Sequence, residues 1–200
     1  TLFCILVCNT VLTAQPSSVA DTAGTLVAQK ENIITAGTVI KIENLGPKIN
    51  TELAELRPTV SADGNILFFI CENHPANTKY NSVRNSQDIW YAFRDQSGKW
   101  SEAIHMGYPL NTYEYNAVFW ISPDNNRILI RNAFINGDYV GNGVSMSYLK
   151  DDDTWSKPEM LRIKNYAKYD RGRQNGATMA HDGQTLLLYM TEEKGGIDND

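Results

Sequence analysis

Ser61-Ala62-Asp63-Gly64-Asn65-Ile66-Leu67-Phe68-Phe69-Ile70-Cys71 joins a polar turn to an apolar run with no wet face. The arrangement returns as Ser122-Pro123-Asp124-Asn125 before Ile128-Leu129-Ile130. It returns again as Ala180-His181-Asp182-Gly183 before Leu186-Leu187-Leu188-Tyr189-Met190. Asp63, Asp124 and Asp182 recur about 60 residues apart, which marks a structural repeat whose units bury their apolar faces on one another. An aspartate needed in every unit reads as a turn cap, because a catalytic acid is needed once.

Working outward, Leu45 to Thr51 is a loop and Leu56 to Val60 a first strand. Asp63-Gly64 is a tight turn in which glycine takes the positive φ. Ile66 to Cys71 is a second strand, buried on both faces, and Asp88 to Phe93 a third. Asp95 to Gly98 turns the chain, and Trp100 opens a fourth strand ending near His105. Asn50-Thr51 returns as Asn111-Thr112 and Trp100 as Trp155, so a second unit follows with strands Ala117–Ile121, Arg127–Arg131, Val144–Lys150 and one opened by Trp155. A third unit has its strands at Gln174–Met179 and Thr185–Met190, after a longer basic loop, Lys164 to Arg173. Four short antiparallel strands per unit is the content of a propeller blade. The expected fold class is all-β, a partial β-propeller of about two complete four-stranded blades (residues 45–105 and 106–161) plus part of a third (162–200). Residues 33–200 form the incomplete propeller, and a ring that closes needs further blades beyond Asp200. Thr38 to Glu43 is expected to be the outer strand of the last blade.

The 200 residues carry a net charge of −5, which argues against nucleic acid as a partner. A composition 42% hydrophobic and 10% aromatic supports a packed core. Cys4 and Cys8 fall in an N-terminal apolar run, Leu2 to Ala14, leaving Cys71 alone, so no disulfide framework is available. That run has the length of a signal-peptide core and is too short for a transmembrane helix. Residues 1–14 read as a signal peptide lacking its start, and 15–32 as a tether. Val7 before Cys8 fits a lipoprotein site poorly.

The first unit resembles the WD40-like, TolB-type propeller repeat. Leu45-Gly46, Ile49-Asn50-Thr51, Glu55, Pro58, Ser61, Asp63-Gly64, Leu67, Phe69, Asp88-Ile89-Trp90 and Trp100 carry the likeness. The second unit departs from it at Val144 and Asn125, and the third at Ala180. With an export signal ahead of it, the region is similar to the N-terminal part of OmpA-family envelope proteins of Bacteroidetes. The resemblance implies a periplasmic or outer-membrane-associated protein whose partners are envelope proteins. It implies peptidoglycan contact only through a domain that these residues do not include.

No catalytic residue, cofactor site or metal site is expected. The histidines, His74, His105 and His181, have no ligand spacing and read as ordinary surface residues. Asp151-Asp152-Asp153 lacks the spacing of a calcium loop. Two loops are candidates for binding. Glu72 to Gln87 is long and polar, and Tyr166 to Gln174 brings together Tyr166, Tyr169, Arg171 and Arg173, side chains that anchor interfaces. The expected function is a non-catalytic interaction scaffold in the cell envelope. The alternatives are a propeller-based hydrolase acting on glycans or peptides, and a carbohydrate-binding module using Trp90, Trp120 or tyrosines as stacking platforms.

Overall fold

The structure is a computed structural model. It describes residues 4–7, 41–78, 86–170 and 175–190. The chain divides into two compact units, one of Cys4–Asn44 and a larger one from Leu45 onward. In the smaller unit β1 (Cys4–Val7) pairs antiparallel with β2 (Lys41–Asn44), Cys4 opposite Asn44. The described part of Thr38–Glu43 is therefore paired with the apolar segment Cys4–Val7.

The larger unit contains β3 (Ala54–Val60), β4 (Ile66–Glu72), β5 (Gln87–Phe93) and β6 (Ile104–His105). It continues with β7 (Val118–Ile121), β8 (Arg127–Ile135), β9 (Asp138–Tyr148) and β10 (Glu159–Met160). A one-turn helix, α1 (Tyr166–Tyr169), precedes β11 (Asn175–Met179) and β12 (Leu186–Met190). Strands β3 to β6 form one four-stranded antiparallel sheet in sequence order, β7 to β10 a second, and β11 with β12 a two-stranded third. The sequence places these elements because each apolar run is bounded by a turn that its own side chains cap. Ser61 Oγ accepts from Ile66 N at 2.9 Å and Asp63 Oδ1 from Asn65 N at 3.0 Å. Ser122 and Asp124 repeat this with Arg127 N and Asn126 N. Gly64, Asn125 and Gly183 share the left-handed conformation (φ 74°, 59° and 67°), so Asn125 replaces glycine with the residue type that best tolerates it.

Successive side chains on a strand point to opposite faces, so a strand apolar throughout needs cover on both. The second sheet shows this directly. Ile128, Ile130 and Phe134 of β8 pack with Val118 and Ile121 against Phe68 and Ile89 of the first sheet. Leu129, between them, turns the other way and packs with Trp120, Val144 and Met146 against Ala177, Leu186 and Leu188 of the third. The sheets are thus stacked face to face, with their first strands adjacent: β3 lies beside β7 and β7 beside β11. Thr59 Oγ1 donates across the first of these junctions to Val118 O at 3.0 Å. Two four-stranded meanders and the start of a third, stacked with inner strands side by side, constitute a partial β-propeller.

Four details differ from the sequence reading. Strands β8 and β9 extend to an Asn136-Gly137 hairpin turn, both residues left-handed (φ 53° and 86°), as a two-residue turn of this class requires. Register shifts around Ala133 disguise the pattern there. The fourth strands are only two residues long, with Trp100 and Trp155 held by isolated bridges to Arg94 and Leu149. The Lys164–Arg173 loop contains α1. Finally, β12 is not buried on both faces: Leu187 is 65% exposed and Tyr189 40%. The second sheet covers one side of the third, and no described segment covers the other. No described helix is long and apolar enough to cross a membrane.

Candidate functional site

The loop singled out by its tyrosines and arginines folds partly inward. Asn165, left-handed at φ 64°, starts α1. Tyr166 is half-buried, and burial followed by its hydrogen bond to Asp170 pushes its phenol well above the usual range. Asp170 is buried and accepts from Asn175 Nδ2 at 2.8 Å, which fixes the loop to the start of β11. Tyr169 is exposed, with the Lys168 ammonium 5.2 Å from its ring centre. Arg171 and Arg173 lie outside the described residues.

Beside this loop the structure assembles side chains that the sequence did not nominate. Arg57 sits where β3 slips register against β4, between Leu56 and Thr59, and has φ 51°. A bulge of this kind re-aims a side chain, and the left-handed region costs a non-glycine residue about 1–3 kcal/mol. The Arg57 guanidinium lies 5.8 Å from the Phe119 ring centre and 6.0 Å from that of Tyr189, and Nη1 donates to the Tyr189 hydroxyl. An arginine of the first sheet therefore reaches across the second to the third. Gly176 makes room for this, because the Tyr189 ring lies across it and a Cβ there would overlap the ring. Arg131 of β8 stands over the Tyr115 ring at 5.8 Å. Burial, and then the like charge of Arg57, hold its pKa below the ordinary value, while Asp170 opposes the shift. Pro58 within a strand was the available signal for the bulge, since proline is confined to strand edges and bulges.

The histidines also require correction. His181 is exposed in its turn, but His74 and His105 are half-buried and flank Trp90, with ring centres 4.2 and 5.0 Å away. His105 Nε2 meets Asp88 Oδ2 at 2.7 Å and Asn111 Nδ2 at 3.0 Å. Asp88, fully buried, also accepts from Thr78 N and from Asn116 Nδ2 at 3.1 Å. Asn111 pairs with the Ile89 backbone in both directions, at 2.8 and 3.0 Å. Trp90 Nε1 donates to buried Asn77, which in turn donates to Cys71 O. The described part of the Glu72–Gln87 loop is therefore packed into the first sheet; residues 79–85 lie outside the described residues. Buried polar groups this well partnered act as a latch between the first sheet and the segment leading to the second. Trp90 and Trp120 are each 7% exposed, so they pack the sheets and offer no stacking platform. Among the described residues no group of three or more His, Cys, Asp or Glu side chains gathers to hold a metal ion.

Sheet order, turn chemistry and the reach of Arg57 across three stacked sheets define a propeller-like protein with an Arg/Tyr cluster on its inner strands. No protein-family profile matches the chain, and no curated protein gives a significant match. Among solved structures it is similar to TolB from Acinetobacter baumannii, with 12% identity and a TM-score of 0.38, over 80% of this chain and 31% of that one. It is also similar to the periplasmic gluconolactonase PpgL of Pseudomonas aeruginosa, with 13% identity and a TM-score of 0.39, over 76% of this chain and 46% of that one. The chain spans less than half the length of either. At this overlap the fold assignment rests on the sheets themselves. One expectation is withdrawn: an enzyme, the gluconolactonase, is among the structures this chain resembles, so the sequence reading of a non-catalytic protein does not stand.

Proposed function

We propose that this chain is an exported propeller that serves as a protein-interaction platform in the cell envelope, binding through the cluster of Arg57, Arg131 and Tyr189 beside the inner strands, together with Tyr169 of the Tyr166–Gln174 loop. The observation that carries the reading is Arg57. A left-handed arginine is a local cost, and strain of this kind persists where the surrounding structure imposes it, characteristically at binding sites. Its guanidinium is held on two aromatic rings, and arginine and tyrosine are the residues that dominate binding energy at protein interfaces. Export is supported by the apolar leader Leu2–Ala14, which carries the proposal of a periplasmic location. The resemblance of the repeat to OmpA-family envelope proteins supports envelope partners. Contact with peptidoglycan is proposed only for a domain outside these residues.

The test replaces Arg57 with glycine. Glycine adopts φ 51° without penalty, so the fold is kept while the side chain is lost. Immobilised wild-type chain is expected to recover a defined set of envelope proteins that Arg57→Gly does not. Equal recovery by both, with matching circular dichroism spectra, removes the cluster from the binding surface.

A further inference from the structure

A second surface lies between the first two sheets, on the side away from the inner-strand cluster. Met106 to Leu110 crosses from one sheet to the next, and beneath it the sheets part to leave a cleft of about 380 Å³. That volume falls within the range of small-ligand and side-chain pockets. Its walls are aromatic and apolar: Tyr91 and Phe93 from β5, Leu149 and Trp155 from beyond β9, and Tyr108 from the crossing segment. Tyr108 is 70% exposed and Phe93 47%, so the cleft is open. The polar lining residues are Asn125, Asp153, Thr154 and His105, the last held on Asp88, and no lysine or arginine lines the cleft.

The turns beside the cleft are rich in carboxylates. In an antiparallel meander the first and third turns of each sheet fall at the same end. Here those turns carry Asp63, Asp95, Asp124 and the run Asp151-Asp152-Asp153. The turns of the two sheets are neighbours, since Asn125 Nδ2 lies 3.4 Å from Asp63 Oδ2. The basic side chains of that end are taken up by its own groups: Lys150 lies on Asp152, Arg94 over the Trp100 ring, and Lys99 and Arg127 near Asp95 and Asp124. Electron-rich ring faces with a carboxylate at the lip suit a cation that brings apolar stem along with it.

We infer that this cleft receives a lysine or arginine side chain, presented by an extended segment of a partner protein with apolar neighbours on either side. This goes beyond the inner-strand reading and does not depend on it, because the cleft shares no residue with the Arg57 cluster.

The experiment uses the full chain and the peptide acetyl-Leu-Arg-Leu-amide as probe, with acetyl-Leu-Glu-Leu-amide and maltose as comparisons. Trp155 is the readout. Its indole lines the cleft, whereas Trp90, Trp100 and Trp120 are buried elsewhere, so its NMR cross-peak isolates the site. The arginine peptide is expected to shift the Trp155 cross-peak saturably, and the glutamate peptide to leave it in place. Asp153→Asn keeps the turn, since asparagine tolerates the φ of 58° found there. It is expected to weaken the arginine peptide about three- to fivefold, the worth of one exposed charge pair. Tyr108→Ala removes the most exposed ring and is expected to weaken it about threefold. Arg57→Gly is expected to leave the shift unchanged, which separates this site from the inner-strand one. Equal response to the glutamate peptide, a response to maltose in place of the peptide, no saturable shift, or unaltered affinity in Asp153→Asn would each overturn the assignment.

Discussion

Replacing Asn111 with alanine removes one side chain and orphans the buried N–H of Ile89. Asn111 is 3% exposed, and its amide satisfies both the N–H and the C=O of Ile89 while also meeting His105 Nε2. Ile89 is fully buried in the first sheet, so water does not replace the lost partner readily. The Ile89 carbonyl keeps Met106 N as a donor at 3.1 Å, so the N–H alone is left unpaired, at a cost of about 1–3 kcal/mol. A domain of this size holds about 5–15 kcal/mol in all, so the loss is a large fraction of the total. The melting temperature is expected to fall by about 2–12 °C. Urea unfolding followed by tryptophan fluorescence gives the free energy directly, and the slope against urea should not change, because the surface exposed on unfolding is the same. Asn142→Ala, an exposed asparagine on β9, is the control, with an expected change within about 0.5 kcal/mol. A loss below about 1 kcal/mol in Asn111→Ala would refute the latch, because it would mean that the Ile89 N–H finds another partner.

Further outcomes follow from particular contacts. Gly176→Ala is expected to displace the Tyr189 ring and break its hydrogen bond with Arg57, visible as a changed tyrosine ring spectrum in NMR; an unmoved Tyr189 would contradict the packing. Ala180→Ser supplies the hydroxyl that caps the other two turns and is expected to stabilise by about 0.5–1 kcal/mol in urea unfolding. Hydrogen bonds from Ser61 and then from Asn65 N hold the Asp63 carboxyl below its ordinary 3.8, against a smaller opposing effect of burial. Its folded pKa is depressed, so the stability it contributes is complete above 3.8 and is lost as pH falls through the lowered value. Ser61→Ala is expected to move the Asp63 titration, read by carboxyl NMR, back toward 3.8, and an unmoved titration would remove the serine as the cause. Burial, with a smaller effect from Glu55, pushes the Cys71 thiol up to about 12, so labelling by a thiol reagent at pH 8 is expected to follow the unfolding rate; immediate labelling of the folded chain would contradict the burial.

What the residues disclosed beforehand was whatever repeats. Asp63, Asp124 and Asp182 announce the turns, and Ile66–Cys71 announces a strand that must be covered on both faces. Side chain and backbone state there follow from neighbours a few residues away. The hairpin at Asn136-Gly137 was equally local but lay behind a register shift at Ala133, which interrupts the alternation that marks a strand. The inner-strand cluster was not legible, because Arg57, Arg131 and Tyr189 come from three sheets and meet only once those sheets are stacked. The same holds for His105, which has no motif around it and gains its role from Asp88 on a neighbouring strand. The Tyr/Arg loop was half legible: its composition was plain, but the inward turn of Tyr166 depends on Asp170 and Asn175 being buried together.

A side chain rooted in the first sheet that ends on a tyrosine of the third acts as a spacer of fixed length between them. Parting the sheets by the width of one water molecule would sever it, and drawing them closer would force the guanidinium off Phe119. The span therefore ties the first sheet to the third through one side chain, in addition to the apolar packing that stacks each sheet on its neighbour.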